Sequence, residues 1–216
     1  MVRDKRLLMS ASPSERTLSR AQLRRRADIV EAALTVFDRQ GFEAARMEDV
    51  AAEAEIAKGT VYLYFKNKQA LLEGVIQAVV KPAVNAVEQA AADHSQTAAQ
   101  RLVRQIEVIG DRLGRGQMKT VLRLMIAEGP RHDDLRRFYY QQVVRPGMDA
   151  IRRCLADGEA SGEFRPGSAK LHPQVFAGVP LMAAIWRMLF DDLEPLEIER
   201  LLRDHLDTVL KGLESK

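Results

Sequence analysis

The sequence predicts an all-α protein of about nine helices, with a three-helix unit near the N-terminus and a larger helical part behind it. Three observations lead there. Apolar residues recur at intervals of three and four along nearly the whole chain, and no stretch shows the alternation of a strand. Two serine or threonine positions, Ser19 and Thr97, are followed three residues later by Gln22 and Gln100, the spacing of a capping box. Between residues 46 and 68, two short helical patterns stand about one turn apart, as in a helix-turn-helix.

Residues 1–18, with Ser10, Ser12, Pro13 and Ser14 among scattered charges, have no useful periodicity and are expected to form a mobile arm. Ser19 then opens a first helix whose apolar stripe is Leu23, Ala27, Val30, Leu34 and Phe37, and Gly41 ends it. In the second pattern Met47, Val50, Ala51 and Ala54 share a face, leaving Glu48, Asp49 and Glu53 outside. In the third, Val61 and Phe65 close over the second, while Lys58, Thr60, Tyr62 and Tyr64 face away. Asn67 can cap a fourth helix running through Leu71, Leu72, Val75, Ile76, Val79, Ala83, Val84 and Val87, with Pro82 expected to kink it.

Beyond that rod, Leu102, Ile106, Ile109 and Leu113 mark a fifth helix ended by Gly114 and Gly116, and Met118, Val121, Leu122 and Met125 mark a sixth ended by Gly129 and Pro130. A long helix follows over 133–157 with a bend expected at Pro146 and Gly147, then a glycine-rich loop over 158–167. Two last helices, over 173–191 and 195–213, are more apolar than one buried face requires. Exposed apolar patches of that size are uncommon on monomers.

Composition narrows the class. A chain of 216 residues with 46% hydrophobic residues can bury a core, and the single cysteine, Cys154, excludes an internal disulfide framework and fits a reducing cytoplasm. No uninterrupted apolar run reaches the roughly 18 residues of a bilayer span and no signal-peptide core is evident, so neither membrane nor export is expected. The net charge is only +3, but residues 1–26 hold eight Lys or Arg against two acidic residues, whereas residues 27–72 hold five against eight. A basic arm of this kind can follow DNA phosphates or enter a minor groove; a solubilising tail is the other reading.

The stretch from Lys58 to Lys68 has three basic residues and no acidic one. A short helix showing a lysine, a hydroxyl and aromatics, and no carboxylate, suits a phosphate-lined groove. From about Arg24 to Leu72 the chain resembles the DNA-binding domain of the TetR/AcrR family of bacterial transcriptional regulators. The match is carried by Ile29, Ala32, Ala33, Phe37, Gly41, Phe42, Asp49, Val50, Ala51, Ala54, Ile56, Lys58, Gly59, Thr60, Val61, Tyr62, Tyr64, Phe65, Asn67, Lys68 and Leu71. Three positions depart from the family pattern. Arg46 stands where Thr or Ser is usual, Glu55 replaces a turn glycine, and Ala57 replaces a serine before the recognition helix.

The resemblance implies a division into an arm (1–18), a DNA-binding domain (19–67) and an effector-binding and dimerisation domain (68–216). It implies that Lys58, Gly59 and Thr60 approach bases or phosphates, that Tyr62 and Tyr64 contact backbone or base edges, and that Lys68 binds phosphate; Arg46 is a further phosphate candidate. It also implies a homodimer through the last two helices, with Val175, Val179, Ile185, Leu189, Leu202, Leu206 and Val209 as interface candidates. A cavity between the fourth to eighth helices would take a small effector. Met125, Phe138, Tyr139, Met148, Phe176, Met182 and Trp186 are available to line it, and methionine-rich linings point to a hydrophobic or aromatic molecule.

The expected function is therefore an effector-released repressor of a palindromic operator. An activator and a low-specificity architectural DNA-binding protein are the alternatives. Catalysis is not expected: no serine sits in a nucleophile elbow, Cys154 has no base near it, and no phosphate-binding glycine loop follows a strand. No cofactor is expected, and no metal either, since His94, His132, His172 and His205 are far apart and none is expected to have a second ligand at helical spacing.

Overall fold

A computed structural model describes residues 19–113 and 115–215; the basic arm over residues 1–18 and Gly114 lie outside the described residues. Ser19 opens α1 (Arg20–Ala44) with both halves of its capping box, its Oγ accepting from Gln22 N–H and Gln22 Oε1 accepting from Ser19 N–H. The apolar stripe starts later than the periodicity indicates: among the described residues Leu23 is 54% exposed and Ala27 also faces solvent, while Arg26 of the same turns lies 5.0 Å from the Phe65 ring centre. Ile29, Ala33, Val36 and Phe37 are fully buried. Gly41, at φ +77°, breaks the regular helix before its last three residues.

The short helices α2 (Met47–Glu53) and α3 (Lys58–Tyr64) pack on α1 through Met47, Val50, Ala51 and Val61, with Phe65 closing the unit. Asn67 caps α4 (Lys68–Ala92), its Oδ1 accepting from Ala70 N–H at 2.8 Å. The helix runs on through Pro82, whose exposed position leaves the freed carbonyl of Ala78 on the solvent side. By length and composition α4 could cross a bilayer, yet Leu71, Leu72, Val75 and Ile76 are wholly buried in the cluster shared with α1, α6 and α7, so the apolar character of its first half belongs to the core.

The remaining helices are α5 (Ala98–Arg112), α6 (Gly116–Glu128), α7 (Asp133–Tyr139), α8 (Arg145–Ala160), α9 (Gln174–Phe190) and α10 (Ile198–Leu213). A π-helical turn, Tyr140–Val144, joins α7 to α8 without a break, so the long helix read from the sequence is one rod. Its irregularity falls one turn before Pro146 and Gly147, because proline is tolerated in a first helical turn and the strain is absorbed ahead of it. The rod also extends to Ala160, three residues beyond the expected end. Counted as rods, the described residues form nine helices and no strands; the one isolated bridge joins Phe164 to Glu214.

The core of the N-terminal unit does not stop at the end of α3. Met118, Val121 and Leu124 of α6 and Leu135 of α7 belong to the same buried cluster as α1 to α4. Asp38 of α1 adds a polar tie, its Oδ1 accepting from Thr120 Oγ1 at 2.7 Å and from Arg123 Nη2 at 2.8 Å. A second cluster joins α5, α8, α9 and α10 through Leu102, Ile106, Ile151, Leu155 and Phe176. Cys154 is a fully buried free thiol beside Val87, Ala91 and Ala150; burial pushes its pKa up, so it is a small core side chain rather than a reactive one.

Candidate functional site

Two features could carry function: the outer surface of α3 and an apolar cavity behind α4. On α3, Lys58, Gly59 and Tyr62 are exposed, whereas Thr60 and Tyr64 are half-buried against the unit below. Leu63, which the sequence reading passed over, is 83% exposed, the most exposed large apolar side chain among the described residues. It lies between Tyr62 and Tyr64 on the solvent side, where an apolar group can meet a thymine methyl. Gly59 has open space where a Cβ would stand, so no contact within the chain requires glycine there.

The turn between α2 and α3 is built without the usual caps. Ala57 offers no side-chain acceptor to α3. Arg46 precedes α2 and likewise has no acceptor, so only the reciprocal half of a capping box forms, Asp49 Oδ2 accepting from Arg46 N–H at 2.9 Å. That bond, with a second from Gln40 Nε2, holds the Asp49 carboxyl below the usual carboxylate range. Glu55 adopts φ +52°, the left-handed conformation that a turn glycine would take without strain.

Electrostatics of the surface differ from the sequence picture in two places. α3 carries no carboxylate, but Glu48 of α2 reaches across and pairs with the Lys58 ammonium. The pairing lowers the pKa of Glu48 and raises that of Lys58. A phosphate contact by Lys58 would have to displace it. Lys68, expected as a phosphate ligand, is turned inward: its ammonium donates to Phe42 O at 2.6 Å and Glu43 O at 2.9 Å and lies 4.6 Å from the Phe42 ring centre. The carbonyls freed where Gly41 ends regular helix supply those acceptors, so this cation clasps α1 to α4.

The cavity, of about 270 Å³ and partly open to solvent, is lined by α4 (Val80, Ala83, Val84, Val87), α5, α6, the α7–α8 rod and α9. Its lining is apolar apart from the guanidinium of Arg112 and the hydroxyl of Tyr139, whose pKa burial raises. Of the residues expected to line it, Tyr139 and Met148 do. Met125 and Phe138 pack on the N-terminal cluster, Phe176 is buried in the second cluster, and Met182 is 42% exposed. Trp186 stacks edge-on to Phe190 and donates its Nε1–H to Glu194 O, closing the α9–α10 connection. Periodicity marked these five as apolar but could not tell which face of each helix met which neighbour.

The cavity and the α3 surface share α4. Two turns before the cavity wall, Gly74 presses against Phe65 at the end of α3, and a Cβ there would lie 2.5 Å from the Phe65 ring. On the far side, α9 leaves Val175, Leu181, Met182, Leu189 and Phe190 exposed, with Val179 and Ile185 half-buried beside them. Leu206 and Val209 of α10 pack in part on the chain's own second cluster and Leu202 lies against Gly110 of α5, each remaining half-buried.

A three-helix DNA-reading unit with a helix-turn-helix, set on a helical body with an apolar cavity, defines a ligand-responsive class of transcriptional regulator. Residues 29–75 match the model described as bacterial regulatory proteins, tetR family, and residues 100–211 match that of the AefR-like transcriptional repressor C-terminal domain. The chain belongs to the TetR family of transcriptional regulators. It is 28% identical over 148 residues to the HTH-type regulator YfiR of Bacillus subtilis (66% of this chain, 69% of that one). It is 26% identical over 176 residues to the repressor DhaR of a Mycobacterium species (80% and 86%). The structure of FadR from Bacillus subtilis in complex with stearoyl-CoA superposes with a TM-score of 0.68 at 22% identity, covering 87% of this chain and 99% of FadR, which is a likeness of fold.

Proposed function

We propose that this regulator is an effector-released repressor that binds a palindromic operator as a homodimer. The observation that carries the reading is α4, one helix that walls the cavity with Val80, Ala83, Val84 and Val87 and abuts the end of the recognition helix through Gly74 and Phe65. A ligand that fits the cavity better in one position of α4 shifts the population of recognition-helix positions by its differential affinity, and by no more than that. Lys58, Gly59, Thr60, Tyr62 and Leu63 read the major groove, and exposed Arg46 faces the phosphates.

The dimer forms through α9, whose Val175, Met182 and Leu189 recur every seven residues on one exposed face. The effector is a hydrophobic or aromatic molecule, and Arg112 can receive an anionic end; the acyl ligand of FadR is of this kind. The test is fluorescence anisotropy with DNA from upstream of the protein's own gene and with shuffled DNA, alongside Tyr62→Ala. Tight binding that discriminates between the two and is lost in the variant supports operator reading. Equal, weak binding to both would overturn it in favour of a low-specificity DNA-binding role.

A further inference from the structure

We propose a divalent-cation site, of the class that takes zinc, between the end of α1 and the α6–α7 connection, with Glu43, Glu128 and His132 as its protein ligands. One donor atom from each of the three lies within 4.8 Å of the others. His132 Nε2 stands 3.1 Å from Glu43 Oε1 and 3.6 Å from Glu128 Oε2. Ligands on a tetrahedral ion at about 2.0–2.2 Å are separated by about 3.3–3.6 Å, so both distances lie within a few tenths of an ångström of what zinc requires.

Proximity of acids and a histidine is common without an ion, and the second observation is what distinguishes this cluster. Glu128 is 6% exposed, and its Oε2, 3.6 Å from His132 Nε2, has no hydrogen-bond partner among the described residues. A buried carboxylate oxygen left without a donor is costly, and a cation is the partner its position serves. Two carboxylates balance a 2+ charge, one imidazole nitrogen completes a three-ligand set, and half-exposed Glu43 and His132 leave the fourth position to water.

The sequence held a signal for this site that the histidine spacing alone did not show. Glu128 precedes His132 by four residues, across the end of α6, whereas Glu43 arrives from 89 positions earlier. Glu43 belongs to the DNA-reading unit and the other two to the effector-binding body, and Lys68 clasps the Glu43 carbonyl. A bound ion would therefore fasten the two parts of the chain beside the start of α4.

The test is calorimetric titration of metal-free, tag-free protein with zinc sulfate, alongside Glu43→Gln and His132→Asn. Glu43 is largely exposed, so Glu43→Gln keeps the fold, which circular dichroism checks. The expected result is one zinc per chain, with affinity at least tenfold weaker in each variant and a zinc-dependent rise in Tm that both variants lose. No zinc binding by the wild type up to 100-fold molar excess, or binding equal in wild type and both variants, would overturn the site. The readout involves no DNA, so it stands apart from operator reading.

Discussion

Replacing Glu55 by glycine should make the protein more stable and should not weaken its hold on DNA. Glu55 sits at φ +52°, where the Cβ of an L-residue crowds the following carbonyl at a cost of about 1–2 kcal/mol. Glycine removes that crowding but brings extra freedom to the unfolded chain, which returns about 0.5–1 kcal/mol. The Glu55 side chain is exposed and makes no hydrogen bond or ion pair among the described residues, so nothing else is lost. The turn's backbone bonds, Glu55 N–H to Ala52 O and Ile56 N–H to Ala51 O, are unaffected. The net gain is about 0.5–1 kcal/mol, or a Tm rise of about 1–4 °C for a chain of this size. Thermal unfolding by circular dichroism measures it, with Glu55→Gln as the partner variant that changes the charge equally and keeps the Cβ. A Glu55→Gly protein no more stable than Glu55→Gln would refute the strain argument.

Four further outcomes follow from the geometry. Gly59→Ala should stabilise the free protein by up to about 1 kcal/mol, since no contact within the chain needs glycine, while weakening DNA binding at least several-fold by blocking close approach; melting and anisotropy read the two opposite signs. Gly74→Ala should cost about 1–3 kcal/mol by driving a methyl into Phe65, and the loss should appear in the folding of α3 as well as α4, which hydrogen exchange resolves. Asn67→Ala should lower stability by about 1 kcal/mol through the lost cap of α4, measurable by urea denaturation. Finally, although partial burial tends to raise the pKa of Glu163, its acceptance of the Ala99 and Ala98 N–H groups lowers it below 4.5. Its contribution to stability is thus complete above that value and is lost as pH falls through the depressed pKa of the folded state; Glu163→Gln should flatten that limb of the stability–pH curve.

How much was legible in the sequence depended on whether a residue's role was local. Capping at Ser19, Asn67 and Thr97 is set by neighbours three residues away, and spacing located each of them. The outer surface of α3 comes from one contiguous stretch, so the exposure of Lys58, Gly59 and Tyr62 could be read there, and the strain at Glu55 follows from a residue that cannot do what glycine does. The pairings that cross the chain were hidden. Glu48 reaching Lys58, Lys68 turning to Phe42 and Glu43, and Arg112 facing the cavity depend on how helices dock, which no periodicity encodes. The cavity lining failed for the same reason: Phe176 and Trp186 are as apolar as Met148, and only packing distinguishes them.

Coupling of the cavity to the recognition helices through α4, as proposed above, is read from operator affinity with and without ligand. A fatty acid or aromatic acid found to raise the Tm would be added at saturation while operator DNA is titrated by anisotropy. The expected result is affinity weakened at least tenfold, and, by linkage, ligand binding weakened by the same factor when operator is present. A ligand that binds the cavity and leaves operator affinity unchanged would contradict it.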